Sequence, residues 1–121
     1  MVIRLIAILF GIGFIFAGVA GFLPIFTKEG LLFGIFEVDS MHNMVHLISG
    51  VIAIMAATSY RITKIYFTVF GVIYTLAALI GFWRNGDLFV MHVNTADNIL
   101  HLVIGVISLY LGLYKRKIPA Y

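Results

Sequence analysis

MHNMVHLISGVIAIMAATSY, residues 41–60, contains no Asp, Glu, Lys or Arg. A helix of that length rises about 30 Å, the thickness of the hydrocarbon core of a bilayer. Residues 5–23, 65–83 and 96–114 read the same way. None alternates in polarity as the strands of a membrane barrel must, so the expected architecture is four membrane-crossing helices.

Composition agrees with that reading. The chain is 63% hydrophobic and only 11% charged, with a mean hydropathy of +1.13, whereas soluble domains are about half apolar and a quarter charged. Its 121 residues suit a single transmembrane domain, residues 1–121. The absence of cysteine removes disulfides and thiolate ligands. The net charge of +3 carries no nucleic-acid signal, because it is distributed by side. Arg4, Arg61, Lys64, Lys115, Arg116 and Lys117 flank one side of a four-crossing topology, and only Lys28 and Arg84 the other. Basic residues stay on the cytoplasmic face, so both termini are expected there. The five acids, Glu29, Glu37, Asp39, Asp87 and Asp97, fall on the outer side. The closing YKRKIPAY (residues 114–121) reads as a topological anchor rather than a lipid-headgroup site. Arg4 before an apolar run imitates a secretory signal, but an internal repeat argues that the segment is retained.

Aligning His46 with His101 superposes Val38, Asn43, Leu47, Gly50 and Val51 on Val93, Asn98, Leu102, Gly105 and Val106. Aligning Gly11 with Gly71 lays GIGFIFAGVAGF over GVIYTLAALIGF. The chain therefore reads as two tandem helical hairpins, repeat 1 over residues 1–60 and repeat 2 over residues 61–121, with extra length in the first outer loop around residues 27–33. Each unit crosses twice, so the halves are expected to be related by an axis along the membrane normal. Short connections put the second and fourth helices on one diagonal of the bundle and the first and third on the other.

Ser40 and Thr95 stand where N-caps are expected, with Asn43 and Asn98 three residues on. One stripe descends through Asn43, His46, Gly50, Ala53 and Ala57, and its equivalent through Asn98, His101, Gly105, Ser108 and Gly112. The partner helices carry Gly11, Phe14, Gly18 and Gly21, matched by Gly71, Tyr74, Ala78 and Gly81. In lipid, small residues at this spacing let backbones approach and pack. Trp83, Tyr60, Tyr110 and Tyr114 suit interfacial belts.

His46 lies about 9 Å along its helix from Ser40 and so belongs in the outer leaflet, facing the bundle. The primary expectation is a polar cluster of Asn43, His46, Asn98 and His101, hydrogen-bonded across the bundle and filling the space above Gly21 and Gly81. The protein would then be a non-enzymatic membrane or assembly component, with no cofactor. The alternative is a haem or a divalent metal. Helices about 10 Å apart at the edges are about 14 Å apart across the diagonal, a span that inward imidazoles can close around one iron. His42 with His46, and Asp97 with His101, at i and i+4, present three imidazoles and a carboxylate to a bare ion. His42 and Asp97 occupy equivalent repeat positions yet differ. A third class, a small-solute or ion transporter, lacks a mid-membrane carboxylate for coupling. Ser49 and Ser108 have no Ser-His-acid arrangement, and His92 reads as an outer-loop residue, so hydrolytic chemistry is not expected. The expected partners are the lipid bilayer and a second copy or another membrane protein, with no nucleic acid.

LLFGIFEVDSMHNMVHLISGV (residues 31–51) and FVMHVNTADNILHLVIGV (residues 89–106) resemble the conserved blocks of a small bacterial membrane family, domain of unknown function 4383. The resemblance spans nearly the whole chain. It implies four helices in a bacterial inner membrane and no particular activity. The shared positions are Asn43, His46, Gly50, Asn94, Thr95, Ala96, Asp97, Asn98, His101 and Gly105. The short first outer loop departs from the family pattern and leaves little room there for an external site.

Overall fold

The structure, a computed structural model, describes residues 2–115. Arg116, Lys117 and the rest of the basic end segment lie outside the described residues. Four helices, α1 (Val2–Phe22), α2 (Ser40–Ala56), α3 (Tyr60–Trp83) and α4 (Thr95–Leu113), form an all-α bundle. α1, α3 and α4 are long and apolar enough to cross a bilayer, which makes this a membrane protein. α2 is shorter, with 17 residues. Its ends nevertheless lie level with those of α1: Asn43 meets Gly21 at one end, and Arg4 Nε donates to the Ala57 carbonyl (2.6 Å) at the other.

The apolar run at residues 41–60 is divided between two helices, contrary to its reading as one span. α2 stops at Ala56 and α3 starts at Tyr60, ahead of the apolar run at residues 65–83. Capping causes the difference, because Ser59 Oγ accepts the Ile62 N–H and starts a helix that hydropathy does not register. The buried Thr63 hydroxyl donates to the carbonyls of Ala56 and Ser59 and tightens the turn.

Pairing is closest within α1/α2 and within α3/α4. A Cβ on Gly11 would lie 2.7 Å from the Gly50 carbonyl oxygen, and one on Gly71 would lie 2.6 Å from the Leu109 nitrogen. Only glycine permits backbones that close. Between the pairs the packing is aromatic. Phe10 meets Phe67 edge-on at 5.3 Å, and Phe14 meets Phe70 at 5.3 Å and Tyr74 at 5.6 Å. Ala7, Ala53, Ala56 and Ala57 fill the remaining core.

The loop between α1 and α2 contains structure that the sequence reading treats as plain loop. β1 (Thr27–Lys28), β2 (Leu31–Leu32) and β3 (Phe36–Glu37) form a small antiparallel meander. Its two turns use left-handed pairs, Glu29–Gly30 and Phe33–Gly34, the backbone that matches strand twist in tight hairpins. Leu32 and Val38 bury against Ala20 and fold the meander down onto the bundle. In the loop between α3 and α4, Arg84 pairs with Asp87 at 3.0 Å and lies over the Phe89 ring. The Phe89 N–H, and then Arg84, hold the Asp87 carboxyl below the usual carboxylate range.

Candidate metal centre

Two helix starts position the site. The N-caps are Asp39 and Asn94, one residue before the expected Ser40 and Thr95. Asp39 Oδ1 accepts the His42 N–H at 2.8 Å. Asn94 Oδ1 accepts the Asp97 N–H, and Asp97 Oδ2 accepts the Asn94 N–H in return, a reciprocal capping box. Reciprocity decides the register at α4: Asp97 reaches back to the Asn94 N–H, whereas the expected start at Thr95 would put Asn98 in that place.

His42, His46 and His101 converge beneath these caps. All three are buried, with exposures of 1%, 9% and 5%. Their rings form a triangle, with centroids 4.4 Å apart for His42–His46, 5.6 Å for His42–His101 and 6.3 Å for His46–His101. One nitrogen from each lies within 4.8 Å of the other two. His42 Nδ1 meets the Glu37 carbonyl oxygen at 3.0 Å, so it carries the proton and Nε2 keeps its lone pair. His42 Nε2, His46 Nδ1 and His101 Nδ1 are buried and have no hydrogen-bond partner among the described residues. Phe14 packs against the His46 ring at 5.4 Å and Tyr74 against the His101 ring at 5.2 Å, walling the triangle.

The structure places the other expected site residues elsewhere. Asp97, expected beside the imidazoles, is buried and engaged by its own cap. Asn43 and Asn98 stand against Gly21 and Gly81, where a Cβ on either glycine would collide with the amide. Asn43 Oδ1 and Asn98 Oδ1 find no partner among the described residues, so the expected Asn–His hydrogen bonds across the bundle do not form. The cause is angular. Three residues along a helix leave a side chain about 60° round from its neighbour, so each Asn faces its own hairpin seam while each His faces the centre. The His46 and His101 rings are spaced as two axial ligands of one iron would be, but the His42 ring, 4.4 Å and 5.6 Å from them, stands in the space a porphyrin would need.

The sequence reading missed two groups. The Glu37 carbonyl that orients His42 is backbone and has no side-chain signature. His92, on the loop between α3 and α4, faces Glu37 Oε1 at 3.4 Å, and its N–H approaches Asp39 Oδ2 at 3.5 Å. With Asn94 Nδ2 donating to the Ile35 carbonyl at 2.8 Å, these contacts tie the meander over the site.

The family described as domain of unknown function (DUF4383) matches residues 4–114, which include all three imidazoles and both capped helix starts. The chain belongs to this family. No curated protein and no solved structure matches it. DUF4383 membership leaves the chemistry of the histidine triangle to be argued from its geometry.

Proposed function

We propose that the protein is a non-enzymatic component of the bacterial inner membrane that holds one transition-metal ion between α2 and α4, on His42, His46 and His101. One observation carries the reading: three buried imidazoles from two helices each offer a nitrogen within 4.8 Å of the other two, and each has a buried nitrogen without a hydrogen-bond partner among the described residues. Leaving such an atom unpaired costs about 1–3 kcal/mol, and bringing three together has no packing rationale. Tetrahedral or trigonal ligation needs nitrogens about 3.4 Å apart, so rotamer adjustments of about an ångström close the site. The Glu37 carbonyl supplies the outer hydrogen bond that metal-binding histidines characteristically make.

The wider frame belongs to the same proposal. Arg4 and Lys64 lie at one end of the bundle, where Arg4 bonds the Ala57 carbonyl and Lys64 Nζ that of Tyr114. All five acids lie at or beyond the other end. Four crossings with both termini cytoplasmic put the triangle in the outer leaflet. A duplicated hairpin, residues 1–60 and 61–121, accounts for the matching Gly21–Asn43 and Gly81–Asn98 contacts.

The test is metal uptake by the full chain in lipid nanodiscs, measured by elemental analysis after separate incubation with zinc(II) and copper(I) and removal of excess. One equivalent of either is expected, together with a raised unfolding temperature. His46→Phe and His101→Phe keep a ring in place and are expected to abolish both effects. A protein that retains neither ion stoichiometrically overturns the reading.

A further inference from the structure

Which ion the centre takes follows from its charge, and the inference rests on the metal reading above. We infer that the histidine triangle selects copper(I) over divalent ions such as zinc(II).

All three donors are neutral. The chain has no cysteine, and among the described residues no carboxylate joins the three imidazoles. The ligands therefore offset none of the charge they surround. The cost of taking an ion out of water grows with the square of its charge, so a divalent ion bears about four times the penalty of a monovalent one. That penalty is felt in full at a site inside a bilayer and walled by Phe14 and Tyr74.

The nearby acids do not make up the difference: the Glu37 carboxylate faces the exposed His92 ring at 3.4 Å, outside the triangle. Asp97 Oδ2 accepts the Asn94 N–H, and Asp39 accepts the N–H groups of His42 and His92. Both carboxylates thereby offset the positive ends of α2 and α4, which point at this same outer end. Coordination number argues in the same direction. Zinc(II) on three histidines needs a water or other added ligand in its fourth position, whereas three neighbours satisfy copper(I), so the imidazoles fill the shell of copper(I) without an outside ligand.

The experiment is competition in the full chain, reconstituted in nanodiscs and kept anaerobic. Copper(I) is delivered from its bicinchoninate complex, silver(I) serves as a redox-inert surrogate, and zinc(II) is the competitor. Copper(I) and silver(I) are expected to displace one another at one equivalent and to bind at least about 100-fold tighter than zinc(II). X-ray absorption of the copper(I) form is expected to show three nitrogen neighbours. His42→Asp adds one negative charge to the ligand set and is expected to move the preference toward zinc(II) by about tenfold or more. If that variant does not fold, as judged by its helical circular dichroism, the wild-type competition decides alone. Zinc(II) held as tightly as copper(I) on these histidines overturns the charge inference and leaves the metal reading standing. Uptake of none of the three ions overturns both.

Discussion

At the end of the bundle carrying Arg4 and Lys64, side-chain donors are spent on backbone. Thr63 bonds the carbonyls of Ala56 and Ser59, Thr68 that of Lys64, and Arg4 that of Ala57, around interlocked phenyl rings. Toward the other end, three imidazole nitrogens and two amide oxygens have no partner among the described residues. The hydroxyls of Tyr74, Thr75 and Ser108, nearer the middle, share that condition. Glycine seams run through both halves, so helix packing does not explain the contrast. One half is built for its own stability. The other leaves polar groups unmet among the described residues, and the proposed metal centre is the reading that accounts for them.

The sharpest way to break that division is Phe67→Ala. Phe67 is completely buried between the hairpins, and its loss is expected to cost about 3–5 kcal/mol, read from denaturant unfolding in detergent. Metal stoichiometry should be unchanged in the fraction that remains folded. Loss of metal at intact fold would show that the two halves are not separable. Gly71→Ala comes next. Its new methyl group would lie 2.6 Å from the Leu109 backbone nitrogen, which cannot swing away, so α3 and α4 must part at a cost of about 1–3 kcal/mol. Gly13 is the control, because a Cβ there meets nothing within 4 Å. Gly13→Ala is expected to be neutral or to stabilise by up to about 1 kcal/mol.

The metal-free protein gives a finer test. If the imidazoles existed to lock helices together, replacing His46 and His101 by Phe would destabilise it. Because their Nδ1 atoms have no partner, the double variant is instead expected to be as stable as the wild type, or more stable by about 1 kcal/mol. The stabilisation conferred by metal should vanish. A marked loss of metal-free stability would restore the packing role.

These contrasts were unequally legible in the sequence. The stripes through Asn43, His46, Gly50, Ala53 and Ala57 and through Asn98, His101, Gly105, Ser108 and Gly112 are buried throughout, because small and polar residues at helical spacing in an apolar chain have nowhere else to face. The caps were misread by one residue: Asp, Asn, Ser and Thr all cap, and only the local hydrogen bonds choose among them. The same ambiguity concealed the fate of Asp97, which spacing alone offers to a metal and the cap takes instead. His42, four residues before His46, is legible as its partner on one helix face, but the Glu37 carbonyl that orients it is backbone, for which no residue code exists. The meander left a weak trace in its Glu-Gly and Phe-Gly turns.

Asn94→Ala removes both the α4 cap and the bond to the Ile35 carbonyl that ties the meander over the site. About 1 kcal/mol of stability is expected to go with the cap. Exchange of the Asp97 amide should speed up, while metal is still bound but released faster.

The smallest effect belongs to the loop between α3 and α4, beyond the site. The Asp87 carboxylate accepts the Phe89 N–H at 2.9 Å and pairs with Arg84, and both contacts favour its ionised form. A carboxyl that ionises more readily folded than unfolded adds stability above the ordinary carboxylate range, about 3.9, and that contribution fades as the pH falls through the lower folded value. The side chain is half exposed, so solvent screens it and the consequence stays local. Corrected for intrinsic exchange, protection of the Phe89 amide should therefore decline on acidification below the ordinary range, and Asp87→Asn should flatten the profile. Metal affinity of wild type and D87N should remain equal at neutral pH, because the loop touches the site through His92 and Asn94 rather than through Asp87. A parallel loss of metal affinity in D87N would mean that the Arg84–Asp87 turn helps to hold the cover over the histidines.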